Sequence, residues 1–274
     1  MEWLSVANAA INGIVIGMLL ALPALAITLV FGIARFPNAA TGDYMTLGAY
    51  ATVASQAFLG GSVVTSVLGA MSVTAIVSLF FYFWVFRALA ERSQVARLIA
   101  SIGVAFAVRS TITFFAGQDQ HVVDVPLVRA WNFGGIRLLP TDLYILATAV
   151  TALVIVFCIM HLTPTGRRMR AIADNAELVT GAFCGLGGAL LGIKAVVVPE
   201  LGWELLMPMF AGVILGGIGS PVGAVLGIVT FSIAQEVASL FAGPPYKIVF
   251  AFVILLCVLL LRPQGMFGRP MAAR

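Results

Sequence analysis

The chain has 274 residues, of which 61% are hydrophobic and only 9% are charged. A soluble domain carries about 25% charged residues, so this composition excludes an ordinary water-soluble domain and predicts that most of the surface faces lipid. The net charge of +4 does not indicate a nucleic-acid partner, because the basic residues stand singly or in threes between apolar blocks, as in the cytoplasmic loops of membrane proteins.

Four apolar spans are predicted in the first half of the chain. The first covers residues 9–34 and is followed by a polar break at 35–43. The charge-free stretch 44–86 is long enough for two crossings, since roughly 20 apolar residues cross a bilayer core. A fourth span lies at 98–117.

The second half alternates apolar and polar segments. The stretch 205–235 is too long for one helix and carries a glycine- and proline-rich interruption. The pattern predicts an all-α, polytopic transmembrane bundle of about eight or nine spans with broken or re-entrant segments, in a single domain covering residues 1–274. In chain order the segments are a polar loop at 118–142, a span at 143–162, a polar segment at 163–177, a span at 178–198, an acidic loop at 199–204, the interrupted stretch 205–235 and a last span at 248–261.

The orientation of the spans follows from the arginines. They concentrate in three segments, at 87–97, 167–170 and 262–274, whereas the intervening loops carry mostly acidic residues. The positive-inside rule places the three basic segments in the cytoplasm and predicts an external N-terminus.

One cluster of polar and small residues interrupts an apolar run in each half of the chain. In transporters, paired broken helices place unwound backbone beside the substrate path. These clusters are therefore candidates for a translocation pathway, with simple turns between helices as the alternative. The candidate residues are Asn38, Thr41, Gly42, Gly217, Gly219 and Ser220.

Two charged residues, Arg109 and Glu236, fall within predicted spans and are candidates for a buried role. An intramembrane charge requires a partner or a cavity, so both structural pairing and substrate contact are open. Neither histidine has a carboxylate or cysteine at metal-ligand spacing, and we predict no catalytic residue and no metal site. Glycines four residues apart, as at Gly13 and Gly17, predict helices whose backbones approach closely.

The polar segment 163–177 has the spacing of a short amphipathic helix. Met169, Ile172 and Ala173 share one face at positions i, i+3 and i+4, and arginines surround them. A compact apolar face of this kind suits a groove on a partner protein. An ordinary positively charged loop is the alternative.

Taken together in this order, four motifs resemble the integral-membrane permeases of branched-chain amino acid ABC transporters, of the LivH type. They are NAATGD at 38–43 with GAY at 48–50, TGRRMRAIADN at 165–175, LGGIGSPVGAVLG at 215–227 and RPQGMFG at 262–268.

The resemblance implies a non-enzymatic transport subunit in the lipid of the bacterial inner membrane. It implies a second related permease, two cytoplasmic ATPase subunits and a periplasmic substrate-binding protein as partners. ATP and Mg are then bound by the ATPase, and this chain binds no cofactor. The segment 163–177 becomes the ATPase-coupling segment, through Gly166, Arg167, Met169, Arg170, Ile172, Ala173 and Asn175.

The chain departs from the family pattern after Glu177. The relatives continue with a further glycine-containing stretch, whereas here the sequence runs almost directly into the next apolar span. The shortened cytoplasmic segment predicts weaker coupling to the ATPase.

Several functions remain open on the sequence. An apolar pathway agrees with hydrophobic amino acids, but the same family includes permeases for urea, amides and aromatic acids. A stand-alone secondary transporter is the alternative from another class, and it would need buried titratable groups for ion coupling. A membrane enzyme lacks a catalytic constellation.

Overall fold

The computed structural model describes residues 2–34, 36–59, 62–125, 128–162, 176–243, 246–261 and 265–266. Within these ranges there are nine α-helices and one short β-hairpin. A π-helical turn, Tyr82–Phe86, continues the third helix. The helices are α1 Glu2–Ala34, α2 Ala40–Leu59, α3 Val63–Phe81, α4 Gln94–Ala116, α5 Pro140–Leu162, α6 Ala176–Lys194, α7 Leu201–Gly216, α8 Pro221–Ala242 and α9 Lys247–Leu261, and the strands are β1 Trp131–Phe133 and β2 Ile136–Leu138.

Five of the described helices are long and apolar enough to cross a membrane. Two shorter apolar helices, Leu178–Lys194 and Leu201–Gly216, fall below the roughly 20 residues of a full crossing, as broken segments do. The predicted all-α, polytopic transmembrane bundle is confirmed. The five long segments are Trp3–Gly32, Val63–Phe86, Gln94–Ala116, Pro140–Cys158 and Pro221–Phe241.

The chain divides into two compact units. The first unit contains Met1–Thr28, Leu127–Val150 and Met207–Arg274, and the second contains Leu29–Pro126 and Thr151–Leu206.

In the first unit, α1 packs closely against α8 through two glycines. A Cβ added to Gly13 would lie 2.6 Å from the Cα of Ile233, and one added to Gly17 would lie 2.7 Å from the Cα of Val229. Backbones approach this closely only where small residues line the interface. The close approach predicted from the glycine spacing is therefore present here.

The loop predicted at 118–142 contains secondary structure that the sequence analysis missed. Strands β1 and β2 pair antiparallel, and Gly134 and Gly135 between them have φ of 59° and 97°. Two positive φ angles are what a tight two-residue hairpin turn requires. The side chain of Asn8 fixes the hairpin to the start of α1, because it donates to Gly135 O at 3.2 Å and accepts from Arg137 N at 3.0 Å.

In the second unit, α6 packs between α2 and α3. A Cβ on Gly48 of α2 would lie 2.8 Å from the Cα of Gly185, and a Cβ on Gly185 itself would lie 2.9 Å from the Cα of Met71 in α3. The same helices bury a cluster of small side chains, Ala51, Ala70 and Ala189. Small residues on all three helices thus set the spacing of this unit.

Candidate functional site

The first predicted break lies between α1 and α2, and its polar side chains form hydrogen bonds with the backbone of the same segment. The Asn38 side chain is fully buried and its Oδ1 accepts from Ala40 N at 3.0 Å, which caps α2. Thr41 Oγ1 donates to Asn38 O at 2.9 Å. Ser101 of α4 accepts from Ala39 N at 3.1 Å, so α4 helps to hold the break.

Helix α7 begins against the first turn of α2. Gly202 N donates to Thr46 Oγ1 at 2.8 Å, and this satisfies one of the backbone donors left open at the start of α7. A Cβ on Gly42 would lie 2.5 Å from Gly202 O. Gly42 is therefore a position where the backbones of two helix N-termini meet, and a larger residue there would separate them.

A buried ion pair joins α2 to α4 beside this contact. Arg109 donates to Asp43 through Nε at 3.0 Å and through Nη2 at 3.1 Å. The Asp43 side chain is fully buried, whereas 15% of the Arg109 side chain is exposed. Two aromatic rings flank the guanidinium, with centroids at 4.9 Å for Trp203 and 5.4 Å for Phe106.

Asp43 and Trp203 contact Arg109 but were not among the candidate site residues named from the sequence. The polar break is shorter than predicted, since α2 begins at Ala40 and Asp43 belongs to its first turn. The sequence signal was that an arginine predicted inside a span needs an opposite charge, and Asp43 is one of the carboxylates that directly precede an apolar run.

The second break lies between α7 and α8, within the first unit. Gly217 and Gly219 have φ of 102° and 88°, conformations that other L-residues rarely adopt. Ser220 caps α8, because its Oγ accepts from Gly223 N at 3.1 Å, and Pro221 follows at the start of the helix. Backbone conformation and capping thus separate α7 from α8 at the predicted position.

Glu236 is held by two partners in the first unit. Its Oε1 lies 2.5 Å from Lys247 Nζ, and its Oε2 accepts from Asn12 Nδ2 at 3.2 Å. The residue is 9% exposed. These contacts tie α8 to the start of α9 and to α1, which is the structural pairing left open by the sequence.

Each unit therefore holds one group of candidate residues. Asn38, Thr41, Gly42 and Arg109 gather in the second unit, and Gly217, Gly219 and Ser220 gather in the first. The predicted coupling residues Gly166, Arg167, Met169, Arg170, Ile172, Ala173 and Asn175 lie outside the described residues.

A multi-pass helical membrane protein with broken helices and buried charges is compatible with a transport protein. The sequence matches one protein family over residues 9–180 and 178–259. The chain belongs to this family, which is described as the branched-chain amino acid transport system permease component.

Named relatives match nearly the whole chain. The high-affinity branched-chain amino acid transport system permease protein BraD of Pseudomonas aeruginosa is 28% identical over 95% of both chains. The LivH permease protein of Escherichia coli K12 is 26% identical over 94% of both. A probable LivH of Methanocaldococcus jannaschii is 24% identical over 94% of this chain and 91% of its own.

The family match consists of two stretches that meet at residues 178–180. This overlap coincides with the departure from the family pattern that the sequence analysis predicts directly after Glu177. No solved structure matches the chain.

Proposed function

We propose that the chain is the permease subunit of an ABC importer that moves branched-chain or other hydrophobic amino acids across the bacterial inner membrane. The observation that carries the proposal is the near-complete match to permeases named for branched-chain amino acid transport, over 91–95% of their length. The two helix breaks support it, since unwound backbone inside a membrane is tolerated where it lines a cavity.

The power for transport comes from a separate ATPase in this proposal. Two cytoplasmic ATPase subunits bind the permease pair, which consists of this chain and a second related permease, and a periplasmic protein delivers the substrate. ATP and Mg stay with the ATPase, and this chain contributes no catalytic residue. ATP binding and hydrolysis shift the permease pair between inward-open and outward-open states.

The coupling segment 163–177 is the contact with the ATPase in this proposal. Its apolar face of Met169, Ile172 and Ala173 would sit in a groove of the ATPase surface. The break residues Asn38, Thr41 and Gly42, with Gly217, Gly219 and Ser220, border the translocation pathway.

Co-purification from membranes tests the proposal. The tagged chain, produced in its native host, should bring down a cytoplasmic ATPase, and Met169→Asp with Ile172→Asp should release it. The matched control, Met169→Leu with Ile172→Val, keeps the face apolar and should retain the ATPase. Proteoliposomes of the complex should take up radiolabelled L-leucine only when ATP and the loaded binding protein are present.

Other outcomes point to the remaining candidates. Leucine uptake without any ATPase, abolished by a protonophore, would replace the importer with a secondary transporter. Uptake of urea or acetamide in preference to leucine would leave the importer and change its substrate. If the ATPase is absent, a variant with the family's longer stretch inserted after Glu177 shows whether the shortening has uncoupled the subunit.

A further inference from the structure

The Asp43–Arg109 pair has an unsymmetrical arrangement that a structural ion pair does not need. Asp43 is sealed from solvent, but 15% of the Arg109 side chain is exposed. Arg109 lies in α4, one of the membrane-spanning segments. Ionisable groups within such segments are costly and occur where they serve a substrate path or a partner.

Three of the five N–H donors of the guanidinium donate to no residue that the structure describes. The group has five N–H donors in a planar fork, and Asp43 takes one from Nε and one from Nη2. Among the residues that the structure describes, none accepts a hydrogen bond from Nη1. The edge formed by Nη1 and Nη2 has the geometry that binds a carboxylate through two parallel hydrogen bonds.

The surroundings of this edge are aromatic, and its positive charge is that of Arg109 itself. Trp203 and Phe106 lie within cation–π distance of the guanidinium, and 52% of Phe106 is exposed. Trp203 stands in the first turn of α7, where Glu204 offsets the partial positive charge of the helix N-terminus, so the charge that attracts an anion is that of Arg109 itself. A ligand with a carboxylate head and an apolar side chain matches this combination.

We infer that Arg109 binds the α-carboxylate of a hydrophobic amino acid during translocation, and that Asp43 positions the guanidinium for it. The inference rests on the proposed function and narrows its substrate. A neutral amide or urea has no anionic group for the fork, so this site selects carboxylates among the substrates that the family resemblance leaves open.

The unaltered complex provides the first test. Permease and ATPase subunits are placed in nanodiscs, and binding of radiolabelled L-leucine is measured in competition with unlabelled L-leucine or L-leucinamide. Leucinamide keeps the side chain and the amine but has lost the carboxylate, and we expect it to compete at least about tenfold more weakly. Equal competition by the two compounds, or no saturable leucine binding by a complex that transports leucine, would overturn the inference.

Substitutions separate a substrate role from a structural one. Arg109→Gln should lower leucine uptake about tenfold or more while ATP hydrolysis stimulated by the binding protein stays within about twofold. Arg109→Lys keeps the charge without the fork and should restore part of the uptake. The matched control is Arg97→Gln, which removes an arginine of the same helix that also lies over an aromatic ring, Phe36, and should leave uptake unchanged.

Exchange of the two charges supplies a second criterion. Asp43→Arg with Arg109→Asp keeps an ion pair, so a purely structural pair would regain both assembly and uptake in the double variant. We expect assembly to recover and uptake to stay low, because the exposed position now carries a carboxylate. Full uptake would refute the inference, and if the double variant does not assemble, the leucinamide comparison on the unaltered complex decides.

The proposed function and this inference fail in different ways. If the wild-type chain copurifies with no ATPase and transports no leucine, both the proposed function and this inference are wrong. If the wild-type complex transports leucine and the Arg109→Gln variant transports it equally well, only the inference about Arg109 is wrong.

Discussion

Gly188 offers the sharpest test of the packing between α6 and α2. All three atoms nearest to a Cβ added at this position belong to the backbone of α2: the carbonyl oxygen of Met45, its carbonyl carbon at 2.9 Å and the amide nitrogen of Ala49 at 3.0 Å. Backbone atoms cannot rotate away as a side chain can. Gly188→Ala must therefore push the two helices apart.

The size of the effect follows from two opposing contributions. Overpacking a close interface costs about 1–3 kcal/mol, and rigid neighbours place Gly188→Ala near the upper limit. Replacing glycine by alanine inside a helix gains about 1 kcal/mol. We expect the free energy of unfolding to fall by about 2 kcal/mol, which corresponds to a decrease in Tm of roughly 4–8 °C for a chain of this size.

A second glycine gives the matched control. Gly103 lies inside α4, and a Cβ added there meets nothing within 4 Å. Gly103→Ala should therefore show only the helix-propensity gain, an increase in Tm of about 2–4 °C. Both variants are measured by thermal unfolding of the purified complex in one detergent. A Gly188→Ala variant as stable as Gly103→Ala would refute the close approach of α2 and α6.

Three further predictions concern the breaks and the Glu236 cluster, each measured by the same thermal unfolding. Ser220→Ala should lower the free energy of unfolding by about 1 kcal/mol, because it removes the capping hydrogen bond to Gly223 N. Ser62→Ala, at an N-cap without such a hydrogen bond, should lower it by less than half of that. Gly219→Ala should lower the free energy of unfolding by about 1–2 kcal/mol through backbone strain alone, since a Cβ at this position meets open space. An unchanged free energy of unfolding would show that the φ of 88° is not required. A double-mutant cycle of Glu236→Gln and Lys247→Met should give a coupling energy of about 1 kcal/mol, and a value near zero would mean the 2.5 Å pair is not maintained in solution.

Most of the helix pattern could be predicted because charges and glycines interrupt an otherwise apolar chain. The interruption predicted within 205–235 matches the gap between α7 and α8, since the positive φ angles of Gly217 and Gly219 and the cap at Ser220 depend on local sequence alone. The glycine spacing likewise predicted close helix contacts, although it could not say which helices meet. That Gly13 faces Ile233 is a property of the folded unit.

The β-hairpin was missed for a different reason. Its strands have three residues each, too short for an alternating pattern to stand out from the surrounding loop. The Gly134–Gly135 turn was visible in the sequence, but a two-stranded hairpin is marginal without further packing. The hydrogen bonds from Asn8 supply a tertiary contact that joins residues more than a hundred positions apart.

The Asp43–Arg109 ion pair could be predicted only in part from the sequence. Arg109 was identified because an arginine within a span is conspicuous, but Asp43 was assigned to a polar break, where a carboxylate needs no explanation. Its burial follows from where α2 begins, and that boundary depends on the cap formed by Asn38 and on the contact of Gly42 with Gly202. Helix boundaries in a membrane decide which charges are desolvated, so a shift of four residues changes Asp43 from a solvated loop residue into the partner that orients Arg109. In the proposed translocation pathway, the break contributes this boundary as well as its unwound backbone.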